Sequence, residues 1–251
     1  MREVIKVCEP GEGAPKLVKV LDYPRGDEGR ALRIAEELCR AGVTEVVLEG
    51  EATLPGGVKV LGRGHAAVVL LANLGGVGEV AIKVRRAGSK RESLALECGA
   101  LGAAWPVAPR VYRCTDEFII MDLVKGYPVA EVARYVKGCG GAVALAAKVA
   151  EAARWLDRVG VCHEELSDLR GHAFIEGGAI KFIDFESASM RYCCVVCKVM
   201  SWVLHRSPLP RACPRLTEVE GCVREALRAY KRGPGKEGFL AVIRALARAL
   251  E

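Results

Sequence analysis

The stretch Gly160–Ser189, "GVCHEELSDLRGHAFIEGGAIKFIDFESAS", concentrates ionisable side chains in one short span. His163 and His172, two of the chain's four histidines, stand in it with Glu165, Asp168, Asp184 and Glu186. The apolar run "IKFID" reads as a strand. Asp184 at its end is placed to act as a fixed hard-oxygen ligand for a divalent ion. A turn aspartate and a few solvated loop acids are the plainer reading, so the upstream sequence has to decide.

Upstream, "LGRGHAAVV" sets Gly62 and Gly64 at the first two positions of G-x-G-x-x-G, with Ala67 at the third. Small residues in a strand-turn-strand let backbone amides approach phosphate oxygens. In a chain with 28 glycines an ordinary hairpin does the same. Lys83 follows in "VAIKV", between apolar neighbours on an expected strand, and then comes the polar helix expected in "SKRESLALECGALGA". On that helix Glu97 is the better partner for Lys83, with Glu92 as its rival. Two strands turning at Thr115 and Asp116 are read from "RVYRCTDEFIIMDLV".

The remaining chain supplies the frame. Residues 1–55 read as strand, helix, strand, with "KLVKVLDY" as the first strand, Asp27 as the helix cap and Gly42 at its end. Residues 56–124 are β-rich and 125–251 helical, the latter including a helix near 189–205 and two more beyond a proline-rich break. The expectation is an α+β protein of two lobes with a cleft between them.

In order, "LGRGHAAVV", "VAIKV", "IIMDLVKG", "HEELS" and "IDFESA" resemble the RIO-like atypical kinases and the related kinase subunit of the KEOPS complex. The resemblance covers roughly residues 56–205 and leaves the first 55 outside it. It implies a two-lobed kinase fold, with ATP and Mg2+ as cofactors. Lys83, held by glutamate, would bind phosphates beneath the Gly62, Gly64 and Ala67 loop. Backbone groups of Asp122 and Val124 would grip adenine, with Met121 behind it. Asp184 would bind magnesium, and Glu186 offers another carboxylate.

Two letters depart from that pattern. Glu165 stands where the family has its base aspartate, and its carboxylate offers the same acid–base chemistry one methylene further out. Asp168 is the alternative base. The metal-binding asparagine is missing altogether, because the chain's one asparagine is Asn73. Its place falls on Arg170 or on His172, depending on the motif counted from. An arginine there would meet phosphate directly.

The net charge is +6, and residues 206–251 hold ten Lys or Arg against five Glu. Arg224, Arg228, Lys231 and Arg232 share one helical face, and Arg85, Arg86, Lys90 and Arg91 form a second cluster. Both read as solvated faces or as a polyanion-binding rim, which Arg170 would join. Within the family, the resemblance points to archaeal members that phosphorylate a ribose 2′-hydroxyl of tRNA. A protein serine/threonine kinase and an ATP-binding scaffold without turnover are the other readings it allows.

The absence of glutamine and near-absence of asparagine are a hyperthermophile tendency. Eleven cysteines fit intracellular archaeal proteins that carry disulfides. Cys194-x-x-Cys197, with Cys213 and Cys222 downstream, makes zinc conceivable, but apolar surroundings favour core cysteine or a disulfide. The charged start "MREVIKVCEPGEG" does not read as a signal peptide, and "CCVVCKVMSWVL" is too short for a membrane span. A cytoplasmic protein is expected.

Overall fold

The computed structural model describes residues 3–251. It is an α+β protein, with an antiparallel sheet toward the N-terminus and helices later. The chain forms two compact units: residues up to Gly99 with Arg110–Leu123, and Ala100–Pro109 with Val124–Glu251.

The first unit begins with β1 (Glu3–Lys6), α1 (Ala14–Leu21), α2 (Glu28–Arg40) and β2 (Val43–Leu48). A small hairpin, β3 (Ala52–Leu54) and β4 (Val58–Val60), leads to β5 (Gly62–Arg63), β6 (Ala67–Leu74) and β7 (Gly78–Arg85). Next come α3 (Ala95–Ala104), which runs past the unit's edge, β8 (Val111–Cys114) and β9 (Phe118–Asp122). The sheet order is β1-β2-β6-β7-β9-β8, with β5 added on β6. Gly76, at φ +76°, supplies the left-handed residue that the β6–β7 turn requires.

Period-two alternation decides which face each side chain takes. Val68, Leu70 and Ala72 of β6, Ile82 and Val84 of β7, and Ile120 of β9 join one core with α1 and α2. Those helices contribute Leu17, Val20, Leu21, Ile34 and Leu38. Lys83 alternates with Ile82 and Val84 and so belongs to the sheet's other face. The N-terminal segment is therefore a layer of this unit's core, sharing its sheet. The expected strand "KLVKVLDY" is instead the helix α1. Its buried residues fall at i, i+3 and i+4, and Pro15 sits in its first turn, where a missing N–H costs nothing.

α2 starts as expected: Asp27 accepts a hydrogen bond from the Arg30 backbone N–H at 2.7 Å. The Arg30 guanidinium reaches further, donating to Asp22 Oδ1 at 2.6 Å, to the Arg85 carbonyl at 2.8 Å and to Glu117. Arg85 donates to the other Glu117 oxygen at 2.6 Å. Burial would raise the Glu117 carboxyl, but these two guanidinium groups outweigh it and hold it below its ordinary value.

The second unit holds β10 (Tyr127–Pro128), α4 (Val129–Tyr135), the long α5 (Gly138–Val159) and β11 (Val161–Cys162). They are followed by β12 (Ala173–Glu176), β13 (Ala179–Phe182), β14 (Ser189–Met190) and α6 (Val195–His205). Two single turns, α7 (Leu209–Ala212) and α8 (Arg215–Glu218), precede α9 (Glu220–Arg232) and α10 (Lys236–Ala247). Two short sheets, β10-β12-β13 and β11-β14, carry the loop segments between α5 and α6. The helix expected near 189 starts only at Val195, because Ser189 and Met190 pair with β11.

Asp157, in the last turn of α5, fixes the start of α6. Its carboxylate accepts from Val195 N–H at 2.7 Å, from Val196 N–H at 3.2 Å and from Tyr230 O–H at 3.1 Å. Burial pushes the Asp157 carboxyl up, although all three donors pull it down. Three helices thus meet on one buried carboxylate, whose removal would orphan two amide N–H groups.

Ten cysteines pair as Cys8–Cys39, Cys98–Cys114, Cys139–Cys213, Cys162–Cys193 and Cys194–Cys197, leaving Cys222 exposed and free. The Cys194-x-x-Cys197 pair is a disulfide, so its sulfurs are not zinc thiolates. Such density points to an oxidising compartment, with hyperthermophile interiors as the known exception. No helix among the described residues is long and apolar enough to cross a membrane.

Candidate active site

Lys83 lies mid-strand in β7, opposite Val69 of β6 and Ile119 of β9. Its ammonium donates to Glu97 Oε1 at 2.6 Å, and the two residues are 4% and 2% exposed. Glu97 sits in the first turn of α3 and is buried, whereas Glu92 precedes the helix and is exposed. The expected helix loses its first residues because Ser93 instead caps the turn through its hydroxyl, which accepts from Ala95 N–H at 2.9 Å. Cys98, beside Glu97, is tied to Cys114 at the end of β8. A buried ion pair is expensive to desolvate and contributes little net stability, so its presence calls for a use.

Gly62 pairs with Val69 in the β5–β6 ladder, and Gly64 N–H donates to the Ala67 carbonyl at 2.9 Å. Gly64, His65 and Ala66 thus form a tight turn leading into β6. Met121 and Asp122 end β9, and Val124 begins the longer stretch of the second unit. The Asp122 carboxylate is committed locally, accepting from Arg110 N–H at 3.0 Å and Tyr112 O–H at 2.6 Å.

In the second unit, the loop after β11 separates its acids by task. Glu164 turns to Lys198 of α6 and to Arg191, which hold its carboxyl below the ordinary range. Glu165 turns to His172, with Oε2 3.9 Å from Nδ1. A ligand atom each from Glu165, His172 and Asp184 lies within 4.8 Å of the other two. His172, rather than Arg170, is thus the residue beside Asp184. Glu186 is not in this group.

Arg170 is exposed and wraps Asp168, donating from its backbone N–H and Nε at 3.0 Å and also from Nη2. Those bonds hold the Asp168 carboxyl down at about 2. An acid so strongly paired is a poor proton acceptor.

His163 has a role that its sequence position did not disclose. It is fully buried, its Nε2–H donates to the Ile183 carbonyl at 3.1 Å, and its ring meets Phe185 edge-on at 4.7 Å. It thereby clasps the residues on both sides of Asp184, whose φ of 62° is a left-handed conformation that few side chains adopt. Burial, offset in part by the Ile183 carbonyl, pushes the His163 pKa down to about 4.

An unfolded histidine binds its proton near pH 6.5. The folded state therefore has full benefit above that value and loses it as pH falls toward 4. Stability of metal-free protein should decline across this window by about 3 kcal/mol from this group. Thermal melts of wild type and His163→Phe between pH 7 and 4 check this: the variant should lose most of the slope.

The two basic clusters are not equivalent. Arg85 is paired with Glu117, and Arg86 donates to the Gly64 carbonyl at 2.8 Å with its guanidinium over Tyr23. Lys90 is exposed and Arg91 half-buried. On α9, Arg224 pairs with Glu220, while Arg228, Lys231 and Arg232 are exposed. The α9 face is the more available of the two to a polyanion. No protein-family model matches the chain, and no curated protein is significantly similar to it in sequence.

Proposed function

We propose that the chain is an ATP-dependent kinase of the RIO-like kind that transfers a γ-phosphoryl group to an RNA hydroxyl, a ribose 2′-hydroxyl of tRNA. The observation that carries the kinase part is the buried Lys83–Glu97 pair of the first unit, a strand lysine fixed by a helix glutamate. In this reading Lys83 binds phosphate oxygens, and Glu97 orients it. Asp184, with the neighbouring carboxylate and imidazole, is the chemistry that holds a divalent ion. A bound divalent ion would neutralise charge on the phosphates. Glu165, through the carboxylate oxygen not turned to the ion, orients the acceptor hydroxyl and takes its proton, leaving most of the rate to positioning and electrostatics.

The tRNA acceptor is supported by the exposed α9 arginines and by the family resemblance. One observation favours the runner-up, a protein serine/threonine kinase: Arg85, Arg86 and Arg170 are engaged within the protein. The missing asparagine favours an ATP-binding scaffold, whereas Lys83, Glu97 and Asp184 oppose it. The amide-poor composition supports the cytoplasm of a hyperthermophilic archaeon, whereas the five disulfides argue rather for an oxidising compartment, to which such a cytoplasm is the known exception.

Calorimetric titration with ATP and a divalent ion tests the kinase reading. Wild type should bind, and Lys83→Met should bind at least about tenfold more weakly, a difference of about 1.4 kcal/mol. Absence of ATP binding by folded wild type would overturn it.

A further inference from the structure

We infer that Glu165, His172 and Asp184 form a three-ligand site selective for a first-row transition cation such as Mn2+ over Mg2+. This deepens the kinase reading, on which it rests only for what the metal is used for. The plainer alternative for Glu165 and His172 is a direct hydrogen bond, and the geometry disfavours it: Oε2 and Nδ1 are 3.9 Å apart, within ion-pair range but beyond hydrogen-bond reach. Both atoms are shielded from solvent, and neither has a hydrogen-bond partner.

Two ligands that each lie about 2.1 Å from one ion stand roughly 3–4.2 Å from each other, depending on the angle between them. The 3.9 Å between Glu165 Oε2 and His172 Nδ1 falls inside that range, and an Asp184 carboxylate oxygen lies within 4.8 Å of both residues' ligand atoms.

The donor set then chooses the ion. Two carboxylates alone suit Mg2+, whereas an imidazole nitrogen favours Mn2+, Co2+ or Zn2+. The ligands come from separate positions: Glu165 from the turn after β11, His172 from just before β12, Asp184 from just after β13. The β12–β13 ladder pairs Ala173 with Phe182 and so sets the last two side by side. His163, clasping Ile183 and Phe185, holds Asp184 in its left-handed backbone.

Electron paramagnetic resonance of Mn2+ added to nucleotide-free protein tests the site. Mn2+ also avoids the exposed Cys222 thiol, which prefers softer metals. Wild type should quench the free-ion signal, resist an equal concentration of Mg2+, and release Mn2+ to Zn2+. His172→Ala should weaken Mn2+ binding at least tenfold, with an unchanged circular dichroism spectrum. His172→Asn, an all-oxygen set, should let Mg2+ compete evenly. Unchanged Mn2+ binding in folded His172→Ala, no binding by wild type, or displacement by equal Mg2+ would each overturn the proposal. Mn2+ binding that persists in protein unable to bind ATP would count against the kinase reading alone.

Discussion

Asp184→Asn is expected to lose phosphoryl transfer by a factor on the order of 10³ or more while remaining folded. Asparagine is chosen because it tolerates the left-handed backbone that Asp184 occupies, at φ 62° and ψ 69°. Alanine would add about 1 kcal/mol of conformational strain and blur the result. The substitution removes one negative oxygen ligand and keeps the size of the side chain. A carboxylate that anchors a divalent ion is worth several kcal/mol in the transition state, where the phosphoryl oxygens gather charge. Steady-state transfer rates at saturating ATP, with thermal melts run in parallel, measure it. A folded variant with rates within tenfold of wild type would sink the metal assignment.

Arg30→Ala is expected to destabilise the protein by about 3–5 kcal/mol, the cost typical of breaking a buried ion pair from one side. Asp22 is fully buried, and Arg30 is its cationic partner at 2.6 Å. Without the guanidinium, Asp22 keeps the Asp27 N–H at 2.6 Å but loses its charge compensation. Glu117 would retain Arg85 only, and the Arg85 carbonyl would lose a donor. Arg30→Lys should recover only part of the loss, since an ammonium does not reproduce the planar fork. Arg33→Ala, on the exposed side of the same helix, should change stability by no more than about 0.5 kcal/mol. Urea unfolding of the three variants compares them. Equal, small effects at Arg30 and Arg33 would mean that α2 is not anchored to the sheet through this network.

The hairpin strands β6 and β7 and the capped helix α2 were legible because alternation, glycine turns and an Asp cap all pointed one way. Helix α1 was not, because "KLVKVL" alternates like a strand and also fits i, i+3, i+4 over so few residues. Pro15 was the signal that separates the two. Glu97 could be favoured over Glu92 from family order, but only packing showed that Glu92 precedes the helix. His172 and Arg170 were equivalent by counting. The β12–β13 ladder, which sets His172 beside Asp184, is a pairing that motif spacing does not encode. Arg85, Arg86 and Arg170 read as binding residues because charge is visible in a sequence and charge partners are not. Disulfide connectivity was likewise out of reach, since cysteine positions do not specify pairing.

Phosphoryl transfer to RNA is measured most directly with γ-labelled ATP at high temperature, with archaeal tRNA and a protein extract in separate reactions. Wild type should label tRNA, and Asp184→Asn should not. Raising salt should suppress the transfer steeply if α9 contributes phosphate contacts. Label confined to protein would move the acceptor to a polypeptide. No label in either, from folded protein that binds ATP, would contradict the kinase assignment and leave a nucleotide-binding scaffold.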